Sequence, residues 1–231
     1  MIGTPGHLEF VDDRDAADLA TFLGRARRLG ATAVRLQASG RILAVTVCAL
    51  AGSGLMGEGT VLGMRVLALA DDAACDRTVG LDTVLTALSP GPREEAVDRR
   101  HDAEGPDAEG PDATTTPDTS EGPTRLTVPG VVVVEPWSGM SAPRGGWEPL
   151  GVLPGAELVA VARAGIAEVA AADGAARVRD AVWRRNIPGT SLPAGAALAI
   201  HGLGFAAPEV PLHIHGRWAR LTTPAGYVLT R

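Results

Sequence analysis

Apolar residues return at helical spacing near the start of the chain. Leu19, Phe22, Leu23, Ala26 and Leu29 stand at i, i+3, i+4, i+7 and i+10, which places them on one face of a helix over Asp13 to Leu29. Asp12 or Asp13 can cap its first turn. Arg25, Arg27 and Arg28 crowd its last, so both ends suit the helix dipole, and Gly30 stops it. The pattern then switches to period two. AVRLQASGRILAVTV reads as a hairpin turning at Ser39-Gly40, TVLGMRVLALA as a further strand, and DRTVGLDTVLTAL as a short strand and a helix with Asp82 at its N-cap. Strands and helices in this order predict an α+β sheet with helices on one face.

Between Ser89 and Thr124 the apolar pattern stops; Val97 is the one large apolar residue. DAEGP occurs twice in tandem and DATTTPDTSEGPT follows. A segment this polar cannot bury enough surface to offset its ordering entropy, so it is expected to be a disordered linker with a mean span of about 30–35 Å. Beyond it, VPGVVVVEP reads as a strand, and Trp137 opens an irregular arm that reaches Trp147. Three helices are expected at about Pro154–Ala171, Ala175–Asn186 and Pro193–Phe205, with Pro188 halting the second and Pro193 in the first turn of the third. VPLHIHGRWARLTTPAGYVLTR then supplies two or three strands turning at Gly216 and at Thr223–Gly226. Three helices followed by a hairpin is the order of a winged helix. The expected organisation is therefore an N-terminal α+β domain (1–88), a disordered acidic linker (89–124) and a C-terminal winged-helix-like domain (125–231).

Composition narrows the chemistry. All 21 basic residues are arginine, which removes Schiff-base chemistry, a lysine general base and the P-loop lysine. Charge is unevenly spread. Residues 1–88 carry 8 Arg against 10 acids, residues 89–124 carry 3 against 10, and residues 125–231 carry 10 against 7. An acidic linker beside a mildly basic domain could fold back and compete with an anionic partner. MIGTPGHLEFVDDRD has neither a basic start nor an apolar stretch, and the two uncharged runs, 42–57 and 186–208, are too short or too broken to span a bilayer. Cys48 and Cys75 stand without a CxxC. A cytoplasmic protein with two reduced thiols and no membrane segment is the expectation.

Four patterns invite a chemical reading. GSGLMG, residues 52–57, matches GxGxxG, but Asp71 follows Gly57 too closely for an intervening helix and strand, so a hairpin loop is expected and no cofactor. His213 and His215 fall on one face of a strand. His201 is the one other histidine of that domain and no cysteine is there, so alternation with Ile214 and Trp218 inward and both histidines outward explains them without a metal. Ser53 and Ser191 lack a nucleophile elbow, and no pair of acids is spaced for general acid–base work; no catalytic residue is assigned. The third C-terminal helix offers only His201 to a base edge, which argues against sequence-specific readout. Phosphate contacts remain open to Arg177, Arg179, Arg184, Arg185, Arg217 and Arg220. The stretch PRGGWEPLG sets Trp147 beside Arg144 and a Gly-Gly pair; the ring is expected to pack on the first C-terminal helix or to enter a partner's pocket.

At RGGWEPLG, LPAGAALAIHGLGF and TVLGMRVLALA the chain resembles two-domain proteins of high-GC actinobacteria that carry no assigned activity. The resemblance implies a cytoplasmic protein and brings no catalytic residue with it. The leading expectation is a non-enzymatic protein-interaction or adaptor protein, with Arg144, Trp147, Leu198, His201 and Trp218 as candidate contacts to an unidentified protein. A nucleic-acid-associated regulator using the six arginines is the alternative, and an enzyme with a site between the domains is the third.

Overall fold

A computed structural model describes residues 6–54, 57–89 and 125–231. The expected linker, apart from Ser89, lies outside the described residues. The elements are β1 (His7–Glu9), α1 (Asp13–Arg28), β2 (Ala33–Leu50), β3 (Val61–Gly80), α2 (Leu81–Leu88), β4 (Arg125–Thr127), a 3-10 turn (Pro136–Gly139), β5 (Glu148–Pro154), α3 (Gly155–Ala171), α4 (Ala176–Arg184), α5 (Ala194–Gly202), β6 (Glu209–His215), β7 (Trp218–Thr223) and β8 (Gly226–Thr230). The fold is mixed α+β. Six antiparallel strands form one sheet in the order β2-β3-β8-β7-β6-β5, and β1 pairs β4 in a two-stranded ribbon.

The first helix forms as its spacing predicts. Asp12 caps it, its side chain accepting from the Arg14 N–H at 2.8 Å, and Leu19, Phe22, Leu23 and Ala26 are buried. The expected hairpin at Ser39-Gly40 is instead one strand of 18 residues with a register shift between Gly40 and Ile42. Leu36 and Ala38 are buried before the shift and Leu43, Val45 and Val47 after it. The inward set thus changes from even to odd positions, and a bulge is what absorbs that change of parity. Likewise β3 is a single strand through Gly80, and Gly80 rather than Asp82 is the N-cap of α2.

Both sides of residues 90–124 contribute to the sheet. Val61–Met64 of β3 pair with Tyr227–Thr230 of β8, and Phe22 of α1 stacks on Phe205, with ring centroids 5.7 Å apart and planes 6° apart. The three C-terminal helices and the β6–β7–β8 meander occur in the expected order. Those strands, however, are interior members of the six-stranded sheet, because β5 adds outside β6 and β3 adds outside β8. α5 is a core helix, with every residue from Ala194 to Ile200 buried. It touches α3, β2, β3 and β8. Gly63 makes that approach possible, since a Cβ there would lie 2.1 Å from Leu203 Cδ1. Among the described residues no helix is long and apolar enough to cross a membrane.

Candidate functional site

Strand alternation gives the sheet two faces. One packs on the helices through Val45, Val47, Val61, Leu212, Leu221 and Val228. Positions opposite one another on the second face follow from the ladders: Cys48, Leu62, Leu229, Arg220 and His213 form one cross-strand row, and Thr46, Met64, Tyr227 and Thr222 the next. Ala44 and Val66 continue it on β2 and β3. An apolar second face must also be covered, and here the covering element is the segment from Gly130 to Trp147.

This arm is held at several points. Arg77 Nη1 donates to the Gly130 carbonyl at 3.3 Å, the Val133 N–H donates to Thr78 O at 2.8 Å, and Trp137, 7% exposed, joins Leu62, Trp218, Leu229 and Ala33 in a second small core. Arg35 reaches the arm from β2, donating to Ser141 Oγ at 3.2 Å and Met140 O at 3.4 Å. Its other donors grip Asp76 with two bonds of 2.8 Å, the planar fork geometry that arginine supplies. Hydrogen bonding from Arg35 holds the Asp76 carboxyl below its ordinary range, with Gln37 and Arg144 adding to the effect. At its far end Trp147 closes a turn, Nε1 donating to Pro143 O at 3.0 Å. Arg220 lies against the Trp147 ring at 4.7 Å and the Tyr227 ring at 5.5 Å, and His215 meets Trp147 edge-on at 6.0 Å. His215 Nδ1 donates to Gly146 O at 2.8 Å.

Between arm and sheet lies a cleft of about 960 Å³. Its floor is apolar: Ile42, Ala44, Leu62, Met64, Val66 and Leu229. Ile42 and Val66 remain 57% and 43% exposed. Four charged residues line it, Arg35, Asp76, Arg144 and Arg220. Since Asp76 is engaged by Arg35, the balance is cationic.

The residues expected from sequence scatter about this site. Arg144 and Trp147 line the cleft, and Trp147 packs on Arg220 and His215 rather than on α3. Trp218 is buried in the second core and shares its face with His215, its directly paired partner, so the expected split with Trp218 and Ile214 inward together does not hold. Leu198 is 6% exposed within α5, so an apolar contact surface on that helix is corrected to core packing. His201 is half-buried at the end of α5. Of the arginines, Arg179 donates to Leu29 O at 3.4 Å, Arg184 to Ser53 Oγ at 2.7 Å, and Arg185 to Glu168 Oε1; Arg177 and Arg217 are exposed. Arg220 alone of the six lines the cleft. The Gly-rich segment falls between β2 and β3 in the chain, its residues 55 and 56 outside the described ones, and Ser53 and Glu58 exchange backbone hydrogen bonds of 2.9 and 3.0 Å. Among the described residues no group of three His, Cys, Asp or Glu side chains could hold a metal ion. Ile42, Met64 and Val66 were not singled out by sequence; the signal for them was that β2 and β3 are apolar at both parities, the mark of a sheet covered on both faces.

The two thiols report on the layers. Burial pushes Cys48, which packs on the second core, up to about 12, and the neighbouring Glu135 adds to the rise. Cys75 lines the cleft and is raised by burial as well, while its Sγ donates to Leu36 O at 3.7 Å. A thiol near 12 offers roughly a thousandfold less thiolate at pH 8 than an unperturbed one. Iodoacetamide at pH 8, read by peptide mass spectrometry, is therefore expected to modify Cys75 first and to leave Cys48 intact until urea unfolds the chain. Equal, fast labelling of both would mean that the arm does not cover Cys48.

Residues 4–107 match a domain of unknown function (DUF8010), and residues 142–231 match a second domain of unknown function (DUF8185). No curated protein matches the chain. Among solved structures it is similar to a DNA polymerase sliding clamp from Caulobacter crescentus, with 13% identity and a TM-score of 0.48 over 97% of this chain and 64% of the clamp. A beta sliding clamp from C. crescentus with PEG bound gives 12% identity and a TM-score of 0.46 over the same shares. The chain thus spans less than two thirds of the length of these clamps.

Proposed function

We propose that the chain is a non-enzymatic cytoplasmic protein-interaction module, and that the cleft between the second sheet face and the Gly130–Trp147 arm receives a segment of its protein partner. The observation that carries this reading is the cleft itself: an apolar floor with Ile42 and Val66 left open, walled by a tryptophan on a pinned arm and rimmed by arginine. Aromatic and arginine side chains beside a desolvated apolar patch are the composition of interface hot spots. The nucleic-acid reading has less support, because three of its six arginines donate hydrogen bonds within the protein.

The test is affinity capture from host lysate after nuclease treatment, comparing the full chain with Val66→Asp. Val66 is half-open to solvent, so the variant is expected to fold, while a carboxylate on the cleft floor disfavours burial of an apolar segment. The expected result is one dominant protein captured by the parent chain and at least tenfold less by the variant. Equal capture by both, or recovery of nucleic acid alone when nuclease is omitted, would overturn the proposal.

A further inference from the structure

Three buried polar atoms have no hydrogen-bond partner among the described residues: Arg220 Nε, Thr222 Oγ1 and His213 Nδ1. They are not scattered. His213 faces Arg220 directly across the β6–β7 ladder, and Thr222 follows Arg220 by two positions on the same face of β7. Directly opposed residues in such a ladder have Cβ atoms about 4.5–5.5 Å apart, so the three belong to one patch of the sheet face, which meets the cleft through Arg220 beside Trp147. Burying even one such group without a partner is costly, and three together point to a group supplied from outside the chain.

Donors dominate the patch. An arginine Nε–H can only donate, and a threonine hydroxyl can donate. Arg220 is also the one arginine that both lines the cleft and has its guanidinium flanked by two aromatic rings, Trp147 and Tyr227. The rings hold the plane without consuming its N–H groups. Arg144 adds a second, exposed positive charge at the rim, and the one lining acid, Asp76, is already held by Arg35. The apolar floor begins beside this patch, since Tyr227 pairs with Met64 and Leu229 with Leu62.

We infer that this end of the cleft is a carboxylate pocket, and that the partner segment carries an acidic side chain seated on Arg220 next to a bulky apolar residue lying over Met64, Val66 and Ile42. This rests on the cleft being the docking site. A carboxylate matches the planar guanidinium with two parallel bonds, and a Thr222 hydroxyl beside it can donate a third.

The probe is 1-pyrenebutyrate, an apolar ring with a carboxylate, compared with neutral 1-pyrenebutanol, each titrated by fluorescence into the full chain. Pyrenebutyrate is expected to bind, to lose at least tenfold in affinity in Arg220→Gln and two- to fivefold in Thr222→Val, and to be lost in Val66→Asp. Pyrenebutanol is expected to change less than twofold in Arg220→Gln. Thermal melts by circular dichroism check that each variant folds, and Thr222→Val keeps the test open should Arg220→Gln not fold. Equal loss of both probes in Arg220→Gln would make Arg220 a packing residue and overturn the inference, as would displacement of pyrenebutyrate by millimolar inorganic phosphate but not by acetate. Partner capture that is lost in Val66→Asp yet unchanged in Arg220→Gln would overturn the carboxylate and leave the docking cleft standing.

Discussion

Phe205→Ala is expected to lower the stability of the chain by about 3–5 kcal/mol, the usual cost of truncating a buried aromatic, and to unfold both halves in one shifted transition. Phe205 is 1% exposed and stacks on Phe22 of α1, so it sits where the first helix meets the segment after α5. The connection is reinforced nearby: Arg25 Nη1 donates to Leu203 O at 3.2 Å, and β3 pairs with β8. At about 2–4 °C per kcal/mol for a domain of this size, the melting midpoint is expected to fall by roughly 6–20 °C. The two halves can be watched separately. All four tryptophans lie within residues 137–218, while both cysteines lie at or before residue 75. Urea unfolding followed by tryptophan fluorescence and by the reactivity of the Cys48 thiol is expected to give coincident curves, in the parent and in the variant alike. A variant whose fluorescence curve shifts while its thiol curve does not would show that the stack does not couple the halves.

How far the sequence carried this picture depended on the range of the interactions involved. α1 was legible because its apolar stripe, its Asp12 cap and its arginine-rich end are all local. α3, α4, α5 and the turns at Gly216 and Thr223–Gly226 were legible for the same reason. β5 was not: Pro149, Gly151 and Pro154 argue against a strand, yet a sheet edge tolerates proline because one side of it needs no N–H. The continuity of the sheet was hidden because residues 61–64 find their partners at 227–230, and no periodicity records a pairing across that distance. Gly40 shows a subtler failure. A Ser-Gly pair between two apolar runs is a turn signal, but with φ at +60° this glycine serves a bulge, and only the partner strand decides between them. The cleft was half visible. Trp147 and Arg144 drew attention as an odd local motif, whereas the floor was hidden because Ile42, Met64 and Val66 look like ordinary strand residues until the opposite face is known to be full.

Trp137→Ala should separate the arm from the fold it covers. Trp137 is the arm's largest buried side chain, packed on Leu62, Trp218 and Leu229, and its truncation removes about 3–5 kcal/mol of packing. The arm, however, makes few backbone hydrogen bonds to the sheet; Val133 N–H to Thr78 O is one of them. Local detachment therefore requires less disruption than global unfolding, and the loss is expected to appear as opening of the arm. In hydrogen exchange the amides of Val133 and Met140 are expected to lose protection, while those of Val61–Met64 and Tyr227–Thr230 keep theirs. Cys48, no longer covered, should become reactive toward iodoacetamide in the folded state. Partner capture should fall at least tenfold, because the cleft loses its wall even though Ile42 and Val66 are untouched. The outcome that counts against this account is exchange that rises uniformly across the sheet, which would make Trp137 part of the global core and the arm no separate unit.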